Sequence, residues 1–367
     1  MSVFLKIFYN KRKKKGDLFM INHKKTIAIL FGGKSSEYSV SLQSASAVIR
    51  AVNQEKYNLI LIGIDPSGQW FHFTGEISQI EDDTWKSHAV PAFITPDPSI
   101  HGILEQTASG VSICPIDAAF PILHGKNGED GTIQGLLELA GIPCIGCGLL
   151  SSALCMDKNR AHQLALFAGV KVPHCIKIDQ IGTEEQMRKQ TKKLSYPIFV
   201  KPIHAGSSFG ITKVTKEEDL IPAITTAFHY DTEVILEEAI EGFEVGCAVI
   251  GKDKLQTGEI DEIELSEGFF DFTEKYTLKT SKIHMPARID NETAKLIKQT
   301  ACLLYRTFGC SGFARVDLFV TPEKEIYFNE INTIPGFTSH SRFPNMMRGA
   351  GYTFESLVEK LIEQEIQ

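Results

Sequence analysis

A chain of 367 residues with 43% apolar and 23% charged side chains has the make-up of a globular protein, with room for two or three domains. Its net charge of −7 argues against nucleic acid as a main partner. No apolar run approaches the ~20 residues that a membrane helix needs, so no stable membrane insertion is expected.

The charge is uneven. Residues 1–25 hold eight basic side chains (Lys6, Lys11, Arg12, Lys13, Lys14, Lys15, Lys24, Lys25) against one acid, Asp17, which leaves −14 for the rest. The basic run follows an apolar segment, the reverse of a secretory signal. A membrane-surface or nucleic-acid tail is one reading. The favoured one is a disordered extension over 1–24, as an upstream start codon would add, because Met20 precedes the first strand pattern.

Residues 26–31 are a continuous apolar strand followed by Gly32-Gly33. A helix is predicted over 41–52, with Leu42, Ala45, Val48, Ile49 and Val52 on one face. Residues 57–64 form a second strand ending at the turn Asp65-Pro-Ser-Gly68. Another buried strand follows at 117–123, then a helix at 132–140 stopped by Gly141. Alternating strands and helices imply a parallel sheet with ligand sites at its carboxyl edge, where Gly32-Gly33 and His124-Gly125 fall. From about residue 151 the pattern changes. A helix at 158–168, strands at 197–200 and 234–238, and longer helices at 291–308 and 354–363 follow. Eight cysteines lie mostly in apolar runs. Cys144-Ile-Gly-Cys147 has no second ligand pair at a zinc spacing, so reduced buried thiols are expected.

Three segments carry chemistry. Lys201-Pro-Ile-His-Ala-Gly-Ser-Ser208-Phe-Gly210 follows a strand and offers amides and hydroxyls to phosphates, although it lacks a Walker ending and alone is also a plain turn. Glu237-Glu238 ends an apolar strand. It could receive an adenine amine and ribose hydroxyls, or face water. The third segment is a pair of strands, 314–320 and 325–331. It brings together Asp317, Glu330 and Asn332, oxygen donors of the kind Mg²⁺ takes when it also holds phosphates. Arg315 shares a face with Asp317 and is placed to stabilise negative charge. Solvated hairpin strands are the alternative. Residues 268–281 read as a loop that could cover a site.

Together with Phe31-Gly-Gly-Lys-Ser-Ser-Glu37-Tyr-Ser-Val-Ser41, His124-Gly-Lys-Asn-Gly-Glu-Asp-Gly131, Ser152 to Lys158 and Glu274-Lys-Tyr276, these blocks resemble the D-alanine–D-alanine ligases of the ATP-grasp superfamily. They run in family order from about residue 25 to 365. The resemblance implies an α/β (α+β) chain. A parallel-sheet domain of pre-ATP-grasp type spans 25–150, followed by ATP-grasp lobes at 151–240 and 241–367. It implies a cytoplasmic homodimer that uses ATP and two Mg²⁺ ions, for which Mn²⁺ can stand in.

Residue by residue, the resemblance assigns Glu37 to the ammonium of the first D-alanine, with Ser207 and Tyr276 as its hydrogen-bond partners. His124 is assigned to that substrate's carboxylate. Lys158, Lys201, Lys275 and Ser208 correspond to phosphate contacts. Glu237, Glu238, Ile240 and Glu244 correspond to the adenosine pocket, with Glu238 where many relatives have lysine. Asp317, Glu330 and Asn332 correspond to metal ligands, and Arg315 and the Gly336 amide to oxyanion contacts. The implied chemistry is phosphorylation of the first D-alanine, attack by a second amine, and loss of phosphate.

One departure bears on specificity. Ordinary family members have Ser-Leu where this chain has Ser341-Arg342, and an arginine offers donors to a hydroxyl. Phe270 and Phe272 stand where many D-alanine enzymes carry tyrosine. These features are similar to the D-alanine–D-serine ligases of vancomycin resistance, the VanC, VanE and above all VanG type. The expected substrates are D-alanine and D-serine. Tyr276 disfavours D-lactate use, because D-lactate enzymes usually have histidine there. A housekeeping D-alanine–D-alanine ligase and, more remotely, an inactive ATP-grasp module are the rival readings. Deleting residues 1–19 is expected to leave folding and activity intact, as circular dichroism and a turnover assay would show.

Overall fold

The computed structural model describes residues 24–206, 208–265, 281–338 and 340–366. The basic segment 1–23 therefore lies outside the described residues, as do Ser207, Phe270, Phe272, Glu274, Lys275 and Tyr276.

Strand β1 (Lys25–Gly32) runs through helix α1 (Tyr38–Ala51) into β2 (Tyr57–Ile64), which pairs parallel with β1 residue for residue, Ile29 against Leu61. The apolar positions read from the sequence, Leu42, Ala45, Val48 and Ile49, are the ones α1 buries. The chain then departs from a simple parallel sheet. Strands β3 (Trp70–Phe73), β4 (Ala89–Ile94), β5 (Gly102–Thr107) and β6 (Gly110–Pro115) extend the sheet antiparallel, with a short helix α2 (Ile77–Glu81) on the way. The parallel sheet expected from the alternating pattern is thus confined to β2, β1 and β7 (Ala118–Pro121), in the order β6-β5-β4-β3-β2-β1-β7. The added strands are short, and their partly exposed faces give no long apolar run to betray them.

Helices α3 (Thr132–Leu139), α4 (Leu149–Met156) and α5 (Lys158–Phe167) lead into a four-stranded antiparallel sheet. That sheet holds β8 (Cys175–Ile178), β9 (Ile198–Pro202), β10 (Thr212–Val214) and β11 (Val234–Glu238), ordered β10-β9-β11-β8. Helices α6 (Glu184–Thr191) and α7 (Leu220–Ala227) contribute Met187, Ala223 and Ile224 to the core under it.

The third sheet is built on β12 (Phe243–Ile250), edged by the two-residue β13 (Gln256–Thr257). Its order is β15-β14-β12-β16-β17, from β14 (Asp261–Leu265), β15 (Ser281–His284), β16 (Phe313–Val320) and β17 (Ile326–Asn332). Helix α8 (Asn291–Thr307) covers it, capped by Asp290, whose carboxylate accepts from the amides of Glu292 and Thr293. Helices α9 (Arg342–Gly349) and α10 (Phe354–Ile366) close the chain.

The first and third sheets share one core. Phe313 of β16 packs edge-on against Phe120 of β7 at 5.9 Å and against Phe337 at 5.5 Å, and Phe343 of α9 joins them at 5.6 Å. These rings are fully buried and fix the face that carries the metal-ligand candidates beside the carboxyl edge of β1 and β7. Among the described residues the eight cysteines are free thiols, Cys147, Cys155, Cys247 and Cys310 buried and the other four only half-buried, against the expectation that they are buried. No helix of the described residues is long and apolar enough to cross a membrane. Phe313→Ala is expected to cost about 3–5 kcal/mol, because it empties the middle of this cluster; chemical denaturation against the parent protein measures it.

Candidate active site

Strands β16 and β17 pair so that Asp317 faces Glu330 and Arg315 faces Asn332. Residues two apart on a strand share a face, so all four side chains meet on one side of the hairpin. Arg315 grips Asp317 with two groups: Nε lies 2.8 Å from Oδ1 and Nη2 2.7 Å from Oδ2. The amide of Asn332 donates to Asp317 at 2.9 Å and to Glu330 at 3.3 Å. Burial opposes the charge on Arg315, yet the neighbouring Asp317 carboxylate outweighs it and holds the guanidinium firmly protonated. Two carboxylates and one amide are hard oxygen donors and fit Mg²⁺. Among the described residues no three His, Cys, Asp or Glu side chains form a metal cage by themselves.

The opposite wall is the segment after β9. Lys201, Gly206, Ser208, Glu237, Glu238, Ile240, Glu244 and Lys158 all line one cavity of about 510 Å³, with Glu330 on its far side. The nucleotide residues expected from the resemblance and resolved here are therefore gathered around a single space. Lys201 is buried and donates to Glu237 Oε2 at 2.6 Å. Burial pushes Glu237 up, but Lys201 and His162 more than offset this and keep it below its usual range. Lys158 donates to the carbonyls of Ala205 at 2.6 Å and Ile203 at 3.3 Å. Ser208 adopts a left-handed backbone, φ 60°, an uncommon conformation for a residue with a side chain, which turns the loop over the cavity.

Glu37 ends the loop after β1 and is buried. A methyl group added at Gly125 would lie 2.4 Å from its Oε2, and one at Gly206 would lie 3.0 Å away. Glycine at both positions lets two loops, from the first and second sheets, close on one carboxylate. Next to it, His124 Nδ1 lies 3.0 Å from the Ile334 carbonyl, which can only accept. Burial pulls this histidine below its ordinary value, so the ring is neutral and its Nε2 accepts from Ser44 Oγ at 3.1 Å. Both ring nitrogens are thus engaged by protein groups, and the histidine orients the Ile334 segment. Ser44 in turn accepts from the Phe337 amide at 3.3 Å, beside Gly336. A methyl group on Gly336 would meet Ser341 Oγ at 2.9 Å.

Arg342 differs from its expected role as a free donor. It is buried, with Nε and Nη2 each 2.8 Å from the two oxygens of Asp261, and Nη1 2.9 Å from Glu244. Nη1 also lies 3.6 Å from Asp317. Burial disfavours this charge, but Asp261, Asp317 and Glu244 together raise its pKa well above the usual value. Three of its five N–H groups are committed to carboxylates in these bonds, which leaves two. Glu244, expected in the adenosine pocket, thus also braces Arg342.

Sequence reasoning missed Asp261, Ser44 and Glu129. Glu129 accepts from the Gly125 amide at 2.9 Å. Burial, then the charge of Glu37, pushes its pKa up to about 8. It stands in the His124–Gly131 segment, so that motif held the signal; nothing singled out Asp261.

A cavity with lysines and a glycine-rich loop on one wall and hard oxygen donors on the other, set between an antiparallel sheet and a larger one, is the arrangement of an ATP-grasp enzyme. Comparison with known proteins narrows this. The family profile "D-ala D-ala ligase N-terminus" matches residues 26–147 and "D-ala D-ala ligase C-terminus" matches residues 166–363. A D-alanine–D-alanine ligase from Caldicellulosiruptor bescii is 42% identical over 93% of this chain and 95% of its own. The vancomycin C-type resistance protein VanC1 of Enterococcus gallinarum is 45% identical over 92% and 97%. The crystal structure of the VanG D-Ala:D-Ser ligase from Enterococcus faecalis superposes with a TM-score of 0.86 at 55% identity, covering 93% of this chain and 99% of that one. The chain belongs to the D-alanine–D-alanine ligase family, enzymes that form a peptide bond at the expense of ATP.

On the oxyanion role that the resemblance implies for Arg315, Arg315→Ala is expected to lower kcat by roughly 10²-fold or more, by removing charge stabilisation made chiefly in the transition state. ATP affinity should survive, since Arg315 does not line the cavity that Lys158, Lys201 and Ser208 share. Steady-state kinetics beside equilibrium nucleotide binding would show both.

Proposed function

We propose that this enzyme joins D-alanine to D-serine, giving a D,D-dipeptide for peptidoglycan precursors of the vancomycin-resistance type. The observation that carries the reading is Arg342. It directly follows Ser341, whose hydroxyl lies beside Gly336, and is locked by the buried Asp261 carboxylate and by Glu244, with two N–H groups outside these bonds. A fixed guanidinium with spare donors suits a substrate hydroxyl better than a methyl group. The likeness to a VanG D-Ala:D-Ser ligase at 55% identity supports it.

In this reading Glu37 receives the ammonium of the first D-alanine. Lys158, Lys201 and the 206–210 segment hold the phosphates of ATP, together with Ser207 and Lys275. Asp317, Glu330 and Asn332 would hold two Mg²⁺, which neutralise the transferring phosphoryl group when bound. The D-alanine carboxylate becomes an acyl phosphate. The second amine attacks it, Arg315 and the Gly336 amide stabilise the oxyanion, and phosphate leaves. The resemblance assigns Ser207 and Tyr276 to hydrogen bonds with Glu37 and Phe270 to the second substrate, and all three lie outside the described residues. Excluding water protects the acyl phosphate from hydrolysis.

A housekeeping D-alanine–D-alanine ligase is the second reading, favoured by the 42% identity to the Caldicellulosiruptor bescii enzyme. Product analysis with D-alanine plus each second amino acid separates them. Arg342→Leu should cut the D-serine to D-alanine ratio of kcat/KM by roughly tenfold to a hundredfold, since an unpaired buried donor costs about 1–3 kcal/mol and about 1.4 kcal/mol is one decade. Leucine alone strands Asp261, so the measurement includes the double variant Arg342→Leu with Asp261→Asn. An unchanged ratio in both would place Arg342 outside the pocket.

A further inference from the structure

The loop over the phosphates contains a histidine that the mechanism does not use. His204 does not line the nucleotide cavity, although its neighbours Ala205 and Gly206 do. It faces the other way, into a cluster of acids. Its backbone N–H donates to Asp231 Oδ2 at 2.6 Å, and its Nδ1 lies 2.9 Å from the same oxygen. Its Nε2 lies 3.4 Å from Asp157 Oδ2 and 4.0 Å from Glu233 Oε2. Both ring nitrogens therefore face carboxylate oxygens, which can only accept. A neutral imidazole donates from one nitrogen; an imidazolium donates from both.

The two acids come from different elements. Asp157 is the N-cap of α5, accepts from the Arg160 amide at 2.9 Å and pairs with the Arg160 side chain. Asp231 and Glu233 belong to the turn before β11, and Glu233 is itself paired with Lys177 of β8 at 2.5 Å. The residue after Asp157 is Lys158, whose ammonium is held by the carbonyls on either side of His204, those of Ile203 and Ala205. Asp157, Arg160, Lys158, Asp231, Glu233 and Lys177 are the charged groups around the ring. The side-chain bonds to Asp157 and then Asp231 lift its pKa to about 9 against the cost of partial burial. The imidazolium thus persists through neutral pH and is lost as pH climbs through about 9.

We propose that His204, as a cation clamped between Asp157 and Asp231, is a positioning residue that sets the phosphate loop against Lys158 and ties nucleotide affinity to pH on the alkaline side. The proposal rests on the reading of this cavity as the ATP site. Loss of the ring's second proton frees one end of the clamp, the loop and Lys158 no longer hold a common geometry, and ATP binds more weakly. The chemical step, centred on Arg315 and the 317–332 hairpin, is untouched.

The test measures KM for ATP, kcat and Tm from about pH 7 to about pH 10 for the full-length parent, His204→Gln and His204→Arg. The parent's KM for ATP should stay flat near neutrality and rise about tenfold through pH 9. His204→Gln should show a rise of about tenfold already at neutral pH, with kcat within about threefold of the parent. His204→Arg, whose charge does not titrate in this range, should keep a low KM across it. Asp231→Asn keeps the ring, removes one carboxylate, and should move the alkaline rise to lower pH, which tests the idea even if His204→Gln fails to fold. A flat KM in the parent, an equal alkaline rise in His204→Arg, or an unmoved midpoint in Asp231→Asn overturns the inference. Absence of any ATP-dependent turnover in the parent would instead bring down the ligase reading and this inference with it.

Discussion

Four charged side chains are buried together against the third sheet, Asp317, Arg315, Asp261 and, from α9, Arg342, with the half-buried Glu244 at their rim. A lone ion in such a place is costly, and removal of one partner from a buried pair costs several kcal/mol. Each of these groups is tolerable only because the others are there, so the cluster must form as a unit. Strand register, the start of α9 and the placement of β14 all answer to this demand. Once it is met, the oxygen donors of the hairpin and the donors of Arg342 and Arg315 have fixed positions. The geometry here follows from charge pairing as much as from packing.

The second organising contact is polar and spans the sheets. Ser44 on α1 links His124, just after β7 of the first sheet, to the Phe337 amide beside Gly336. Glu37 lies where two glycines from different loops come within van der Waals range. The aromatic cluster of Phe120, Phe313 and Phe337 sits beneath both. Rings provide the apolar area, and the hydroxyl and carboxylate provide the alignment. The first sheet therefore acts as one wall of the site rather than a separate module beside it.

Much of this was legible from residue order alone. The strand-like runs 314–320 and 325–331 are legible as a possible pair, and the structure pairs Asp317 with Glu330 across them. Helix α1 and the strand ends at Gly32 and His124 were equally plain, because a continuous apolar run and a 3.6-residue stripe are strong local signals. Strands β3 to β6 were not, since short half-exposed strands lack either signal. Asp261 was invisible for a different reason. Its partner lies 81 positions away, and an acid beside Glu262 and Glu264 carries no local sign of burial. Arg342 was noticed as a donor, but its restraint was not, because a long-range ion pair leaves no trace in spacing. Ser44 is the same case, with partners 80 and 293 positions distant.

The Asp261–Arg342 pair also constrains how such a site can arise. Arginine placed at 342 without an acid at 261 would be a buried cation at the positive end of a helix, which its dipole disfavours. An acid at 261 without the arginine would be a buried anion beside the metal-ligand face. Each substitution alone passes through a destabilised intermediate, and together they offset one another, the signature of strongly non-additive sites. A change of residue at this position is therefore an epistatic event. It requires two mutations far apart in the gene, or one mutation in a background where the other is tolerated. Recombination that transfers the segment from β14 through α9 as a block would cross that valley in one step.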